Sequence, residues 1–160
     1  MTDQYRPLKD AFGRFATGIG VAACRIENGG FAALTINSFA SVSLSPALVL
    51  WCIEKRASAF PVFMAAESYA VSILKADQRA LSDRFAGHDP DPIKADEIDI
   101  GLTGAPLLKG RLAGFDCTIS ARHKAGDHVI MLGEVVQYDS APGEPLIYYS
   151  SNYHEGLGNP

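Results

Sequence analysis

Apolar residues recur along this chain mostly at strand-like spacing, in runs cut short by Gly, Asn, Asp and Pro. The alternation is clearest over residues 113–122. There Ala113, Phe115, Cys117, Ile119 and Ala121 are predicted to face one way, and Asp116, Thr118, Ser120 and Arg122 the other. Lys124-Ala125-Gly126-Asp127 reads as a turn, and residues 128–138 run back as a long strand until Pro142-Gly143 breaks the pattern. Residues 19–26 and 31–36 form a second strand pair. It is joined by Glu27-Asn28-Gly29-Gly30, a hairpin turn because Asn and Gly accept positive φ at little cost. After Pro46 the run ALVLWCI is apolar on both faces and predicts a central buried strand. Residues 69–74 and 146–149 complete the predicted strands, with a polar tail after them.

Helical spacing is confined to short stretches. Leu8, Phe12 and Phe15 follow Pro7 at i, i+4, i+7 and predict an amphipathic helix ending near Gly18. Ser58 is placed to cap a helix carrying Phe60, Phe63 and Met64, with Pro61 tolerated in its first turn. Asp77 is placed to cap a helix with Leu81 and Phe85 on one face, closed by Gly87. Residues 88–97 are rich in Asp and Pro, lack a period, and predict a mobile loop. No repeat or linker interrupts the pattern, so residues 1–160 are expected to form one domain. Antiparallel turns with few short helices predict a mainly β protein, a closed or nearly closed barrel, since closure removes open sheet edges.

Charge and composition narrow the function. With 14 Lys and Arg against 18 Asp and Glu, the net charge is −4 at pH 7, which argues against a nucleic-acid partner. The 3 cysteines, Cys24, Cys52 and Cys117, sit singly in apolar runs, which favours buried thiols in a reducing compartment. The polar N-terminus lacks a signal-like apolar segment, and no run approaches the roughly 20 residues of a membrane span. A cytoplasmic protein without membrane association is expected.

The chemistry concentrates in residues 35–46, TINSFASVSLSP. Small hydroxyl side chains let a backbone approach a planar polar group or a phosphate closely. The same residues also suit a polar strand end leading into a core strand, and residue types alone leave both readings open. There is no GxGxxG or GxxxxGK[ST] fingerprint and no GxSxG elbow. His123 and His128 are poorly spaced for a metal, so no metal site is expected.

The stretch TINSFASVSLSPALVL resembles the T-x-N-S-F-x-S-V-S-x-x-P-P-L-V signature of the short-chain flavin reductase family. Residues 81–87, LSDRFAG, resemble that family's LSxRFAG segment, and Gly126-Asp127-His128 followed by VIMLGEV resembles its GDH-x-x-x-x-GEV strand. FATGIGV and PLIYYSSNY match further family features in order, so the similarity spans nearly the whole chain. The resemblance implies an FMN-binding split β-barrel of Greek-key type, usually a homodimer with flavin near the subunit interface. It implies that NADH or NADPH reduces FMN or FAD, and that the reduced flavin often passes to a separate monooxygenase. By the same resemblance, Thr35, Asn37, Ser38, Ser41, Val42 and Ser43 hold the flavin ring, and Lys55 and Ser58 its phosphate. Arg84 and Phe85 touch the flavin, and His128 orients the nicotinamide. Departures are Pro46-Ala47 for paired prolines, Ala57-Ser58 for paired hydroxyls, and Trp51 where relatives carry a smaller residue. A flavin-binding electron carrier or sensor on the same barrel is the alternative, and direct reduction of another substrate a third.

Overall fold

The structure, a computed structural model, describes residues 3–27 and 29–157. Helix α1 (Arg6–Phe12) leads into β1 (Thr17–Gly18), β2 (Gly20–Arg25), β3 (Phe31–Ile36), β4 (Ala40–Leu44) and β5 (Ala47–Glu54). Then come α2 (Phe60–Ala65), β6 (Ser68–Ile73), α3 (Arg79–Ala86), β7 (Ile98–Ile100) and β8 (Pro106–Leu108). The long hairpin of β9 (Ala113–Ala125) and β10 (His128–Ser140) precedes β11 (Leu146–Tyr149) and β12 (Asn152–Glu155). No described helix is long and apolar enough to cross a membrane.

One antiparallel sheet of 7 strands dominates, in the order β3-β2-β6-β9-β10-β5-β4. Its two edge strands, β3 and β4, are neighbours in the chain, separated only by Asn37, Ser38 and Phe39. Such a link reaches about 14 Å at most. In a flat sheet the two edges would lie about 29 Å apart. The sheet therefore has to curl until its edges approach. No ladder joins β3 to β4 among the described residues, so the barrel is split along that seam, as the split-barrel resemblance implied.

Inside the barrel Ala22, Ile36, Trp51, Phe63, Tyr69 and Met131 pack in one buried cluster. Trp51 is fully buried, edge-on to Phe63 and Tyr69 at centroid distances of 5.0 and 5.6 Å, so it is core rather than site. A second cluster lies outside the barrel wall, where Val21, Ala33, Leu74, Phe85 and Leu146 pack together beneath α3 and β11. β2 serves both clusters, which explains why it is buried on both faces.

Several predicted features differ. β5 is not buried on both faces. Val49, Trp51 and Ile53 enter the barrel, while Leu48, Leu50 and Cys52 stay half-buried beside Ile130 and Leu132 of β10, outside every described core cluster. α1 stops at Phe12, and Leu8, Phe12 and Phe15 are exposed rather than core-facing. Asp116, on the polar side of the predicted alternation, is fully buried, and its carboxylate accepts the Thr103 N–H at 2.9 Å and the Thr103 hydroxyl. Ser58 does not cap α2, whose N-cap is Ala59, and Asp77 falls inside a 3-10 turn, Ala76–Gln78. Gly87 follows α3 in an extended conformation, so it ends the helix without the left-handed turn a closing glycine usually supplies. The polar tail contributes β12, which pairs with β11. The predicted turn at 27–30 includes Asn28, which lies outside the described residues; Gly29 and Gly30 take φ of 103° and 82°, as such a turn requires.

Gly133 is fixed by packing. A Cβ there would overlap the Tyr69 phenol and lie 3.0 Å from Cys117 Cβ. Gly133→Val should destabilise the fold by about 3 kcal/mol, read as a lower urea midpoint with unchanged m-value. A loss under about 0.5 kcal/mol would show that the barrel interior relaxes around the added methyls.

Candidate functional site

Beside the seam of the split barrel, hydroxyl side chains hydrogen-bond where backbone pairing stops. Ser38 Oγ accepts the Cys52 N–H at 2.9 Å, extending the β4–β5 pairing by one side chain beyond the strand. Thr35 Oγ1 donates to the Ser82 carbonyl at 2.7 Å and ties β3 to α3. Both hydroxyls are thereby positioned and partly occupied. Asn37 between them is exposed, and Asn37 and Ser38 line a cavity of about 610 Å³ with Phe12, Phe15, Thr17 and Tyr148. On β4, a register shift between Ser41 and Ser43 bulges Val42 outward, where it is 48% exposed. Ser43 Oγ accepts the Ser45 N–H at 3.2 Å. Ser41, Val42 and Ser43 line neither this cavity nor the next, and sit on the open edge strand.

Across the link lies a pocket of about 250 Å³ lined by Thr35, Glu54, Arg56, Ser58, Phe85 and His88, among others. Glu54 accepts two Arg56 guanidinium N–H bonds at 2.9 and 2.6 Å, and this pairing holds the guanidinium's pKa above its usual value. Arg56 stays largely exposed, so its charge is available at the pocket mouth. Ser58 Oγ donates to the His88 carbonyl at 2.6 Å. Phe85 is only 2% exposed and belongs to the outer core, and it also lines the pocket.

Lys55 and His128 stand at the adjoining end of β5. The Lys55 N–H donates to the Asp127 carbonyl at 2.9 Å, and its ammonium donates to the Gly126 carbonyl. His128 lies opposite Glu54 in the ladder, and its Nδ1 is 2.8 Å from the Asp127 carboxylate. That hydrogen bond holds the exposed Asp127 carboxyl below its usual pKa. Asp127 lay inside the quoted GDH run but drew no role from the sequence, because a turn Asp is ordinary.

Arg84 turns away from the pocket. Its guanidinium donates to Glu97 at 2.7 and 3.2 Å, to the Asp91 carbonyl at 3.1 Å and to the Pro92 carbonyl. The loop expected to be mobile is thus pinned, by Arg84 along its length and by Ser58 at His88. Glu97 is the residue sequence reasoning missed; it sits in an aperiodic stretch with no signal pointing to Arg84.

Thr35, Ser58 and Phe85 therefore meet at one pocket, with Asn37 and Ser38 just across the link and Lys55 and His128 at the adjacent turn. Arg56 and the Ser58 hydroxyl suit an anion at one end. The polar edge of residues 35–38 and the aromatic wall of Phe12, Phe15 and Tyr148 suit a planar ring at the other. The donor set fits a phosphate-bearing flavin.

Fold and pocket define a split-barrel protein of the flavin-binding kind. The family described as flavin reductase like domain matches residues 12–157, and the chain belongs to it. It is 41% identical over 145 residues to FMN reductase (NADH) SmoA of Agrobacterium fabrum, covering 89% of this chain and 81% of that protein. With an NADH-dependent flavin reductase of Rhodococcus sp it shares 38% identity over 151 residues, 91% of this chain and 83% of that one. The solved structure of BorF, the flavin reductase component of a bacterial two-component tryptophan halogenase, superposes with a TM-score of 0.89 at 32% identity. That superposition covers 98% of this chain and 100% of that one.

The Arg84 hydrogen bond lowers the Glu97 carboxyl below its usual 4.5. Because the folded value is depressed, the pairing is fully present above that pH and is lost as pH falls through the lower folded value. Amide exchange across residues 88–94, corrected for intrinsic rates, should accelerate below about pH 4.5. Glu97→Gln should accelerate it at neutral pH and flatten the pH response; exchange that ignores the substitution would mean other contacts hold the loop.

Proposed function

We propose that this protein catalyses NAD(P)H-dependent reduction of FMN or FAD and passes the reduced flavin to a partner monooxygenase. The observation that carries the reading is the signature stretch itself. It bridges the split between the sheet edges and leads from a ring-sized cavity to a pocket with an exposed guanidinium, paired to Glu54, and a hydroxyl, beside His128. The names of the similar proteins, SmoA and the Rhodococcus enzyme, favour NADH as donor.

When bound, a flavin supplies the hydride-accepting chemistry, and the protein supplies position and electrostatics. Arg56 and the Ser58 hydroxyl hold the phosphate, with Lys55 adding charge from the neighbouring turn. Thr35, Asn37 and Ser38 present polar groups to the ring edge, Ser41 and Ser43 extend that edge along β4, and Val42 covers a face. The Arg84–Phe85 pair acts from behind: Phe85 walls the pocket and Arg84 fixes the loop beyond it. Asp127 accepts from His128 Nδ1, which leaves Nε2 of the neutral ring as a free acceptor. That acceptor suits the amide N–H of a nicotinamide, and holding it sets the distance for transfer.

A homodimer is part of this reading. Leu48, Leu50, Cys52, Ile130 and Leu132 form a half-buried apolar face on β5 and β10, with Val42 and Leu44 exposed beside it. A contiguous apolar face of this kind is typical of an oligomer interface. It adjoins the site through Ser38 and Cys52, so a second copy would also shield the ring from water. With its charge balance and reduced thiols, a cytoplasmic setting is consistent.

His128→Ala should slow NADH-driven flavin reduction by about 100-fold while leaving the flavin Kd within about twofold. Equal loss of rate and binding would make His128 structural. Tight flavin retention by the wild type with no NADH oxidation would instead indicate the carrier or sensor alternative. Leu50→Asp should convert a dimer to a monomer in sedimentation velocity, and a wild type that already sediments as a monomer would remove the dimer from this reading.

A further inference from the structure

A second cavity of about 610 Å³ opens away from the seam, where β2 and β6 diverge. The β2–β6 ladder ends at Ala23 and Ala70. Yet β2 continues against β3 as far as Arg25, and β6 begins against β9 at Ser68. The two strand ends therefore splay, and the cavity forms between them and α2. Ile26, Val62 and Ala65 give it apolar walls, while Arg25, Glu27 and Glu67 bring charge. Its volume is that of a small-molecule site, roughly 300–1,000 Å³. Opposite charges line it, yet none of the ion pairs among the described residues uses Arg25, Glu27 or Glu67.

We propose that this cavity binds a small zwitterion with an apolar body, of the aliphatic α-amino acid kind. The Arg25 guanidinium takes the carboxylate, Glu67 and Glu27 take the ammonium, and Ile26, Val62 and Ala65 take the side chain. Two carboxylates against one guanidinium disfavour a phosphate or another dianion. A simple acid would leave both glutamates without a counter-charge, and a simple amine would leave Arg25 without one. The site also has a route to the flavin. Val62 lines this cavity and a smaller one of about 170 Å³, which Ser58 and Ala59 line as well. Ala59 is the N-cap of α2, so a ligand seated against α2 restrains the segment that carries Ser58. On the reading of Ser58 as a phosphate holder, occupancy here changes flavin affinity, and flavin changes affinity here by the same factor.

The test uses the whole chain with L-leucine as probe, beside isocaproate, which lacks the ammonium, and isoamylamine, which lacks the carboxylate. Binding is read from the backbone amide resonances of Ile26, Val62 and Ala65. Leucine should shift them saturably, with a Kd at least about tenfold below that of either fragment. Arg25→Gln should weaken leucine by about fivefold without weakening isoamylamine, and Glu67→Gln should weaken leucine without weakening isocaproate. Both side chains reach the surface, and circular dichroism checks that the variants fold. No saturable shift, or leucine held no better than its fragments, overturns the site. So does a substitution that weakens all three probes alike. The FMN Kd, measured by flavin fluorescence, should change by about threefold at saturating leucine. An unchanged FMN Kd beside saturating shifts overturns the coupling to Ser58. If the wild type binds no flavin, the phosphate reading of Ser58 fails by itself, and the resonance titration alone decides the site.

Discussion

A link of three residues between the two edges of a seven-stranded sheet is the constraint on which this molecule depends. Because Asn37, Ser38 and Phe39 cannot reach across a flat sheet, β3 and β4 must be brought together, and the sheet curls around a core. The same link is too short and too polar to pair as a strand. The Ser38 hydroxyl in the link accepts the Cys52 N–H instead, and Thr35, just before the link, ties β3 to α3. The opening left at the seam and the donors that line it thus have one cause.

The site inherits its layout from that geometry. β5 returns from the seam, so its last residues place Arg56 and Ser58 on one side of the link and Lys55 against the β9–β10 turn. β10 is the partner of β5, so its first residue, His128, is delivered to the same corner. The outward face of the same two strands is apolar and half-buried, which couples the site to an expected subunit contact. The corner that holds His128 and the apolar outward face are two aspects of one strand pair.

Much of this was legible in the sequence where the signal is local. The strand at 31–36 was predicted with the bounds it has, and the β9–β10 hairpin was announced by alternation around Gly126. Features decided by distant partners were not legible. Alternation put Asp116 on the polar face of its strand, yet Thr103 supplies donors that let it be buried, which no periodicity reveals. Ser58 looked like a helix cap, but a carbonyl thirty residues on, that of His88, takes its proton. The loop at 88–97 looked mobile because the partnership of Arg84 with Glu97 exists only in three dimensions. Of the residues assigned to the site by resemblance, Thr35, Ser58 and Phe85 share a pocket, whereas Ser41, Val42 and Ser43 lie apart on an open edge.

The central claim is that the seam of the split barrel is the flavin's seat. Hydrogen exchange of the protein with and without saturating FMN tests it most directly. Protection should fall on peptides covering residues 35–43 and 54–58, with the 100–105 turn between β7 and β8 unchanged. Protection centred on that turn, or spread evenly over the barrel, would contradict it.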